Sequence, residues 1–184
     1  DWIVGITRKI HENPELGYEE FKTSELIRAE LHKMGVIYTY PVVVTGVVNI
    51  RTGKPPFAAL KSRYGCSCYS GNGGEHEHNS KFHGKIYACC HDAYVTMLIG
   101  ALKILQEHRE ELKGTVVLVF QAAEKGGGGT AIMASAEALE NVSAIFGLHV
   151  DTSTQIGVAS ISDPLLARGG IFEAVISGKR GRAA

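Results

Sequence analysis

Cys89 and His91 stand two residues apart at the junction of a loop and a helix, a spacing that can aim a thiolate and an imidazole at one metal ion. His149 follows the apolar run Ala144 to Leu148, and Glu124 follows the run Thr115 to Phe120 in a glycine-rich turn. Together they could serve a hydrolysis. A metal would polarise a carbonyl, and a carboxylate would take a proton from the attacking water and return it. Singly, each residue also has a plain structural reading, since most cysteines and histidines only pack or pair. Their joint position at the ends of strands favours the chemical one.

The elements that must position them follow from the apolar pattern. Trp2, Ile3, Ile6 and Ile10 share one face of a first helix that Asn13-Pro14 should stop, and Phe21, Leu26, Ile27, Leu31 and Met34 share a face of a second that Gly35 ends. Val36 to Tyr40, Val42 to Ile50 and Phe57 to Leu60 read as strands divided by Pro41 and by the Gly53 to Pro56 turn. Lys61 to Lys85 reads as a long surface loop. Beyond it come a helix over Asp92 to Leu105, a buried strand over Thr115 to Phe120, a helix over Thr130 to Leu139 and a strand over Ala144 to Val150. The alternation predicts an α/β fold, a mostly parallel twisted sheet with helices on both faces, whose sites lie at the carboxyl ends of strands. After Pro164, Gly169-Gly170 and the strand Ile171 to Ile176 mark a boundary near residue 168, giving a main domain over 1–168 and the start of another over 169–184.

Composition narrows the partners. The 184 residues are 45% hydrophobic, enough for one real core, and 19 basic against 19 acidic residues leave no net charge to gather nucleic acid or an anionic membrane. No apolar run reaches the roughly 18–20 residues of a membrane span, and the start at Asp1-Trp2 shows no signal pattern, so a soluble chain acting on a small molecule or a protein is expected. Cys66, Cys68, Cys89 and Cys90 are too few and too local for a disulfide framework, which leaves metal ligation, burial or a single bridge in competition. His76, His78 and His83 read as solvated loop residues, His11 and Glu15 as local capping and pairing groups, and Gly126 to Gly129 as a tight turn.

The stretches HENPELGYEE (His11 to Glu20), YACCHDAYVTMLIGA (Tyr87 to Ala101), GTVVLVFQAAEKGGGG (Gly114 to Gly129) and IFGLHV (Ile145 to Val150) resemble a metallo-amidohydrolase family of aminoacylases, hippurate hydrolases and carboxypeptidase-like peptidases. The wording is most similar to plant hydrolases of indole-3-acetic acid (auxin) amino-acid conjugates. The resemblance implies a catalytic domain joined to a smaller lid or dimerisation domain, two divalent ions, manganese or zinc, and an N-acyl amino acid as substrate. It also implies a place in the lumen of the endoplasmic reticulum. Position by position, it implies that Cys89, His91 and His149 are metal ligands and that Glu124 is the general base. Asp92 would be a helix cap or a support for its neighbours.

Departures from the family pattern lie close to the same residues. Lys125 stands where the family has a second, metal-binding glutamate. The stretch KSRYGCSCY, Lys61 to Tyr69, puts Arg63 and Gly65 where the family motif has acids. Tyr87 and Cys90 replace His and Gly, Ala122 replaces Pro, and Arg182 replaces a lid-domain histidine. A lysine charge ~4 Å from a divalent site at an effective dielectric of about 20 costs roughly 4 kcal/mol per unit of repulsion, about a thousandfold in affinity. The expectation is therefore at most one bound ion and impaired activity, with a non-catalytic remnant or binding module as the alternative. A lid and a further metal-binding histidine would lie beyond Ala184. A sheet lacking later strands should expose an apolar edge and favour a homodimer or aggregation.

Overall fold

The computed structural model describes residues 1–49, 53–68, 77–87, 89–124, 128–129, 133, 139–150 and 155–157. The chain divides into two units, Asp1–Val150 and Asp151–Ala184. Only 155–157 of the second are described, so the boundary near 168, the strand over Ile171 to Ile176 and Arg182 fall outside the described residues, as does Lys125.

Helix α1 (Trp2–Glu12) buries Ile6 and Ile10, one turn apart, and ends at Asn13 directly before Pro14. Its first turn is more open than its spacing suggests, with Trp2 and Ile3 partly exposed. Helix α2 (Phe21–Lys33) buries Ile27 and Leu31. Glu15 caps it from outside: its carboxylate accepts the backbone N–H groups of Lys22 (3.0 Å) and Thr23 (2.8 Å), donors that a helix start leaves unsatisfied. Helix α3 (His91–Glu107) carries Val95, Leu98, Ile99 and Leu102 inward.

The described residues form seven strands: β1 (Tyr38–Val42), β2 (Gly46–Asn49), β3 (Phe57–Arg63), β4 (Ser67–Cys68), β5 (Lys85–Ile86), β6 (Thr115–Gln121) and β7 (Ala144–Gly147). Of these, β4 and β5 fall in or at the end of the stretch Lys61 to Lys85, which is expected from sequence to be a loop. Five form one sheet in the order β1-β2-β6-β3-β7, and β4 and β5 form a separate antiparallel ribbon. The large sheet is mixed. β6, β3 and β7 run parallel, while the β1-β2 hairpin joins β6 antiparallel, which modifies the expected parallel character at one edge.

The sheet's two faces follow the two-residue alternation of β6. Leu118 and Phe120 point into a core with Ile27, Leu31, Val95 and Ile99 from the helices, where a fully buried side chain of this size contributes about 2 kcal/mol. Val117 and Val119 point the other way, to Val48, Ala59 and Met133. Among the described residues, α1 to α3 cover the first face. The helix expected over Thr130 to Leu139 lies almost wholly outside the described residues, though Met133 and Leu139 pack against the second face.

Candidate functional site

Parallel strands place their carboxyl ends along one side of a sheet, and that is where the singled-out residues fall. Arg63 is the last residue of β3, and Glu124 stands three residues past the end of β6. His149 stands two residues past β7, while Cys89 and Cys90 lead into α3. β3 runs three residues beyond its expected end at Leu60. Its register with β6 is unbroken from Phe57 opposite Thr115 to Arg63 opposite Gln121, so pairing extends the strand through polar residues that composition alone assigns to a loop.

Two pairs of chemically active groups form there. Cys89 Sγ lies 3.9 Å from His149 Nε2, and His91 Nε2 lies 3.5 Å from Glu124 Oε2. The Tyr94 ring stands between the imidazoles, its centroid 5.8 Å from that of His91 and 5.3 Å from that of His149. In both histidines the other ring nitrogen meets a carbonyl: Nδ1 of His91 donates to Gly65 O at 3.0 Å, and Nδ1 of His149 donates to Val150 O at 2.6 Å. A carbonyl cannot donate, so the proton sits on Nδ1, and when the ring is neutral Nε2 presents a lone pair. This is the tautomer that metal-bound histidines adopt when a backbone carbonyl orients them.

For thiolate and imidazole ligands at ordinary zinc distances, a tetrahedral angle separates S from N by roughly 3.6 Å, so the Cys89–His149 spacing suits one shared ion. The fit stops at pairs, however. Among the described residues no three His, Cys, Asp or Glu side chains group closely enough to hold a metal. On the Glu124 side a cation is already present: Arg63 Nη1 lies 3.1 Å from Glu124 Oε1, its guanidinium 5.9 Å from the Tyr94 ring centroid.

Behind these groups lies a carboxylate that sequence reasoning missed. Glu20 is fully buried, its Oε2 accepting from Thr45 Oγ1 (2.6 Å) and its Oε1 from the backbone N–H of Ala123 (2.8 Å), directly before Glu124. Burial pushes the Glu20 carboxyl up from its ordinary range, against the opposing effect of those hydrogen bonds. Gly65 sits beside it with φ +109°, and a Cβ there would stand 2.8 Å from Glu20 Oε1. The sequence carries no signal that singles it out: Glu19 and Glu20 both precede α2, and only the fold buries the second.

Other expected residues take more distant partners. His11, read as a local pairing group, reaches Asp92 across 81 positions, Nδ1 to Oδ2 at 2.6 Å, and so ties α1 to the first turn of α3. Asp92 does not cap that helix: Cys90 is its N-cap residue, in the left-handed region at φ +54°, while Asp92 Oδ1 accepts from Ala93 N at 2.9 Å. Cys89 and Cys90 are in no disulfide, and burial, with Asp92 and Cys89 nearby, pushes the Cys90 thiol up. His83 is exposed as expected, whereas His78 contacts Glu12 at 2.9 Å. His76 lies outside the described residues.

Beside the pairs, on the sheet face away from α1 to α3, a cavity of about 460 Å³ opens, lined by Lys61, Arg63, Tyr94 and His149 and by apolar side chains including Val119, Leu139 and Ile145. Burial lowers the affinity of the Lys61 ammonium for its proton, and the neighbouring Arg63 adds to this. Among the described residues no helix is long and apolar enough to cross a membrane.

Residues 69–162 match the model of peptidase family M20/M25/M40. The whole chain is 59% identical to IAA-amino acid hydrolase ILR1-like 4 of Arabidopsis thaliana, of which it covers 42%. It is 36% identical to thermostable carboxypeptidase 2 of Saccharolobus solfataricus, with 98% of this chain and 47% of that protein aligned. Among solved structures it is similar to the Bacillus subtilis YXEP protein, a dinuclear metal-binding peptidase of the M20 family. The TM-score is 0.76 at 32% identity, over 82% of this chain and 42% of that one. The chain thus spans somewhat less than half the length of the relatives it matches.

Proposed function

The chain belongs to peptidase family M20/M25/M40, and from that premise we propose that it is part of a metal-dependent amidohydrolase that cleaves the amide bond of N-acyl amino acids. Auxin amino-acid conjugates are the favoured substrates, because a whole-chain relative at 59% identity carries the name IAA-amino acid hydrolase. One observation carries the reading. Both imidazoles commit Nδ1 to a backbone carbonyl and turn Nε2 toward a thiol or a carboxylate, an orientation suited to metal binding.

In this reading Cys89, His91 and His149, which the described residues bring together only as the pairs Cys89–His149 and His91–Glu124, would have to draw closer to hold one manganese or zinc ion, and that ion would supply polarisation of the substrate carbonyl. Glu124 accepts a proton from the attacking water and returns it to the leaving nitrogen. Tyr94 fixes the strand-end loop through its hydroxyl, which accepts the Val150 N–H at 3.1 Å. The endoplasmic reticulum lumen and a homodimer belong to the same reading. A fluorescent fusion of the full-length protein that stayed in the cytosol would remove the first.

The test combines metal analysis with turnover. The purified chain is loaded with manganese or zinc and given an indole-acetyl amino acid. Cys89→Ser is expected to lose bound metal, and Glu124→Gln to keep metal but lose hydrolysis by about a hundredfold or more. Metal retained in Cys89→Ser, or turnover unchanged in Glu124→Gln, would refute the assignment.

A second reading, a binding module that no longer catalyses, is favoured by the Arg63–Glu124 ion pair, which engages the proposed base with a built-in cation. Hydrolysis at rates typical of intact relatives would exclude it.

A further inference from the structure

We propose that the cavity at the carboxyl ends of β3 and β7 binds a small monocarboxylate with an apolar body, and that Lys61 holds its carboxylate. The proposal rests on the hydrolase reading only for what such a ligand is to the reaction, an acid released from an amide. The binding itself needs neither metal nor turnover.

Strand alternation puts Lys61 and Arg63 on the same face of β3, and both line the cavity. Of this pair, Arg63 is matched by Glu124 at 3.1 Å. Lys61 is only partly exposed, and among the described residues no carboxylate forms an ion pair with it. Among the described residues, two cations beside one carboxylate leave one positive charge over. Burial and the nearby Arg63 disfavour the Lys61 ammonium, and Glu124, already paired with Arg63, offsets them only in part, so the proton affinity of Lys61 is lowered. An incoming carboxylate would supply the missing charge.

The rest of the wall selects the ligand's body. Val119, Met133, Leu139, Ile145 and Leu148 present hydrocarbon, and the volume of about 460 Å³ falls within the range of small-ligand sites. A phosphate dianion would bring one charge too many and leave oxygens facing those apolar walls. A neutral ligand would leave the Lys61 charge unmatched.

Calorimetric titration of the full chain in EDTA with phenylacetate, phenylacetamide and acetate tests this. Phenylacetate should bind about tenfold more tightly than its amide, the scale of one charge-assisted hydrogen bond. Acetate, which lacks the apolar body, should bind more weakly than phenylacetate. Lys61→Met should erase the preference for acid over amide while amide binding persists, and Lys61→Arg should keep it. If Lys61→Met does not fold, Lys61→Gln carries the same expectation. Equal binding of acid and amide, no binding of either, or a preference that survives loss of the Lys61 charge would each overturn the proposal. Turnover that depends on Glu124 alongside a failed titration would leave the hydrolase reading standing and sink only the pocket.

Discussion

Gly65 is where the position of one atom should have the largest measurable effect. Its φ of +109° lies well beyond the left-handed basin near +57°, so an L side chain there costs about 1–3 kcal/mol in backbone strain. The added Cβ would also stand 2.8 Å from Glu20 Oε1, an atom that cannot retreat without giving up the Ala123 N–H. A lost hydrogen bond to a buried carboxylate adds about 1.5 kcal/mol or more. Gly65→Ala should therefore destabilise Asp1–Val150 by about 3 kcal/mol, roughly 6–12 °C in midpoint for a unit of this size. Gly65→Asp should cost more, because it brings a second negative charge toward Glu20. Urea denaturation followed by circular dichroism measures the change, with an unaltered slope as the check that the same transition is being compared. In a Glu20→Ala background the penalty of Gly65→Ala should shrink toward the backbone part alone. A loss under about 0.5 kcal/mol for Gly65→Ala, or an equal loss in both backgrounds, would refute the account of this contact.

Three more outcomes are expected. Burial raises the Glu20 carboxyl above its ordinary range, so the folded state holds that proton more tightly than the unfolded state does. Its contribution is fully present below the ordinary range and falls as pH rises through the raised value. The stability of the parent chain relative to Glu20→Gln should decline over that span, and a difference that grows with pH would contradict it. Cys90→Gly should stabilise by about 0.5–1 kcal/mol by relieving a left-handed residue at φ +54°, measured in the same denaturation assay. Phe146, 61% exposed on the edge strand β7, should drive self-association, so Phe146→Lys should move the chain toward monomer in sedimentation velocity.

The helices and apolar strands were legible because period alone reveals them. Ile6 and Ile10, Ile27 and Leu31, and the run over Thr115 to Phe120 all sit where their spacing puts them. Strand ends were less legible. Lys61, Ser62 and Arg63 look like loop residues, yet the ladder to β6 carries them onward, and a residue's partner across a sheet is not written in its own segment. Pro41, read as a divider, lies inside β1, which forms the sheet edge, where a missing N–H costs no ladder bond. The site's donors were visible as residue types near strand ends. Their contacts were not: Arg63 with Glu124, His11 with Asp92 and Glu20 with Ala123 span 61, 81 and 103 positions, and only folding makes them neighbours.

The contacts of the two imidazoles show that the site is held mainly through backbone groups. His91 is oriented by the carbonyl of Gly65 and His149 by that of Val150. Neither acceptor is a side chain, so the residue type at position 65 can change while the acceptor of the His91 proton stays in place. Glu20 acts likewise from the side, gripping the backbone of Ala123 rather than the side chain of Glu124. Backbone carbonyls and N–H groups survive every substitution except proline at the donor, whereas charges such as those of Arg63 and Lys125 change with one codon. If the proposed ion binds there, a site supported in this way would lose ion affinity in single steps of charge while retaining oriented imidazoles. Metal binding and folding should then separate: variants at 63 and 125 should alter metal uptake far more than they alter the folding stability of Asp1–Val150.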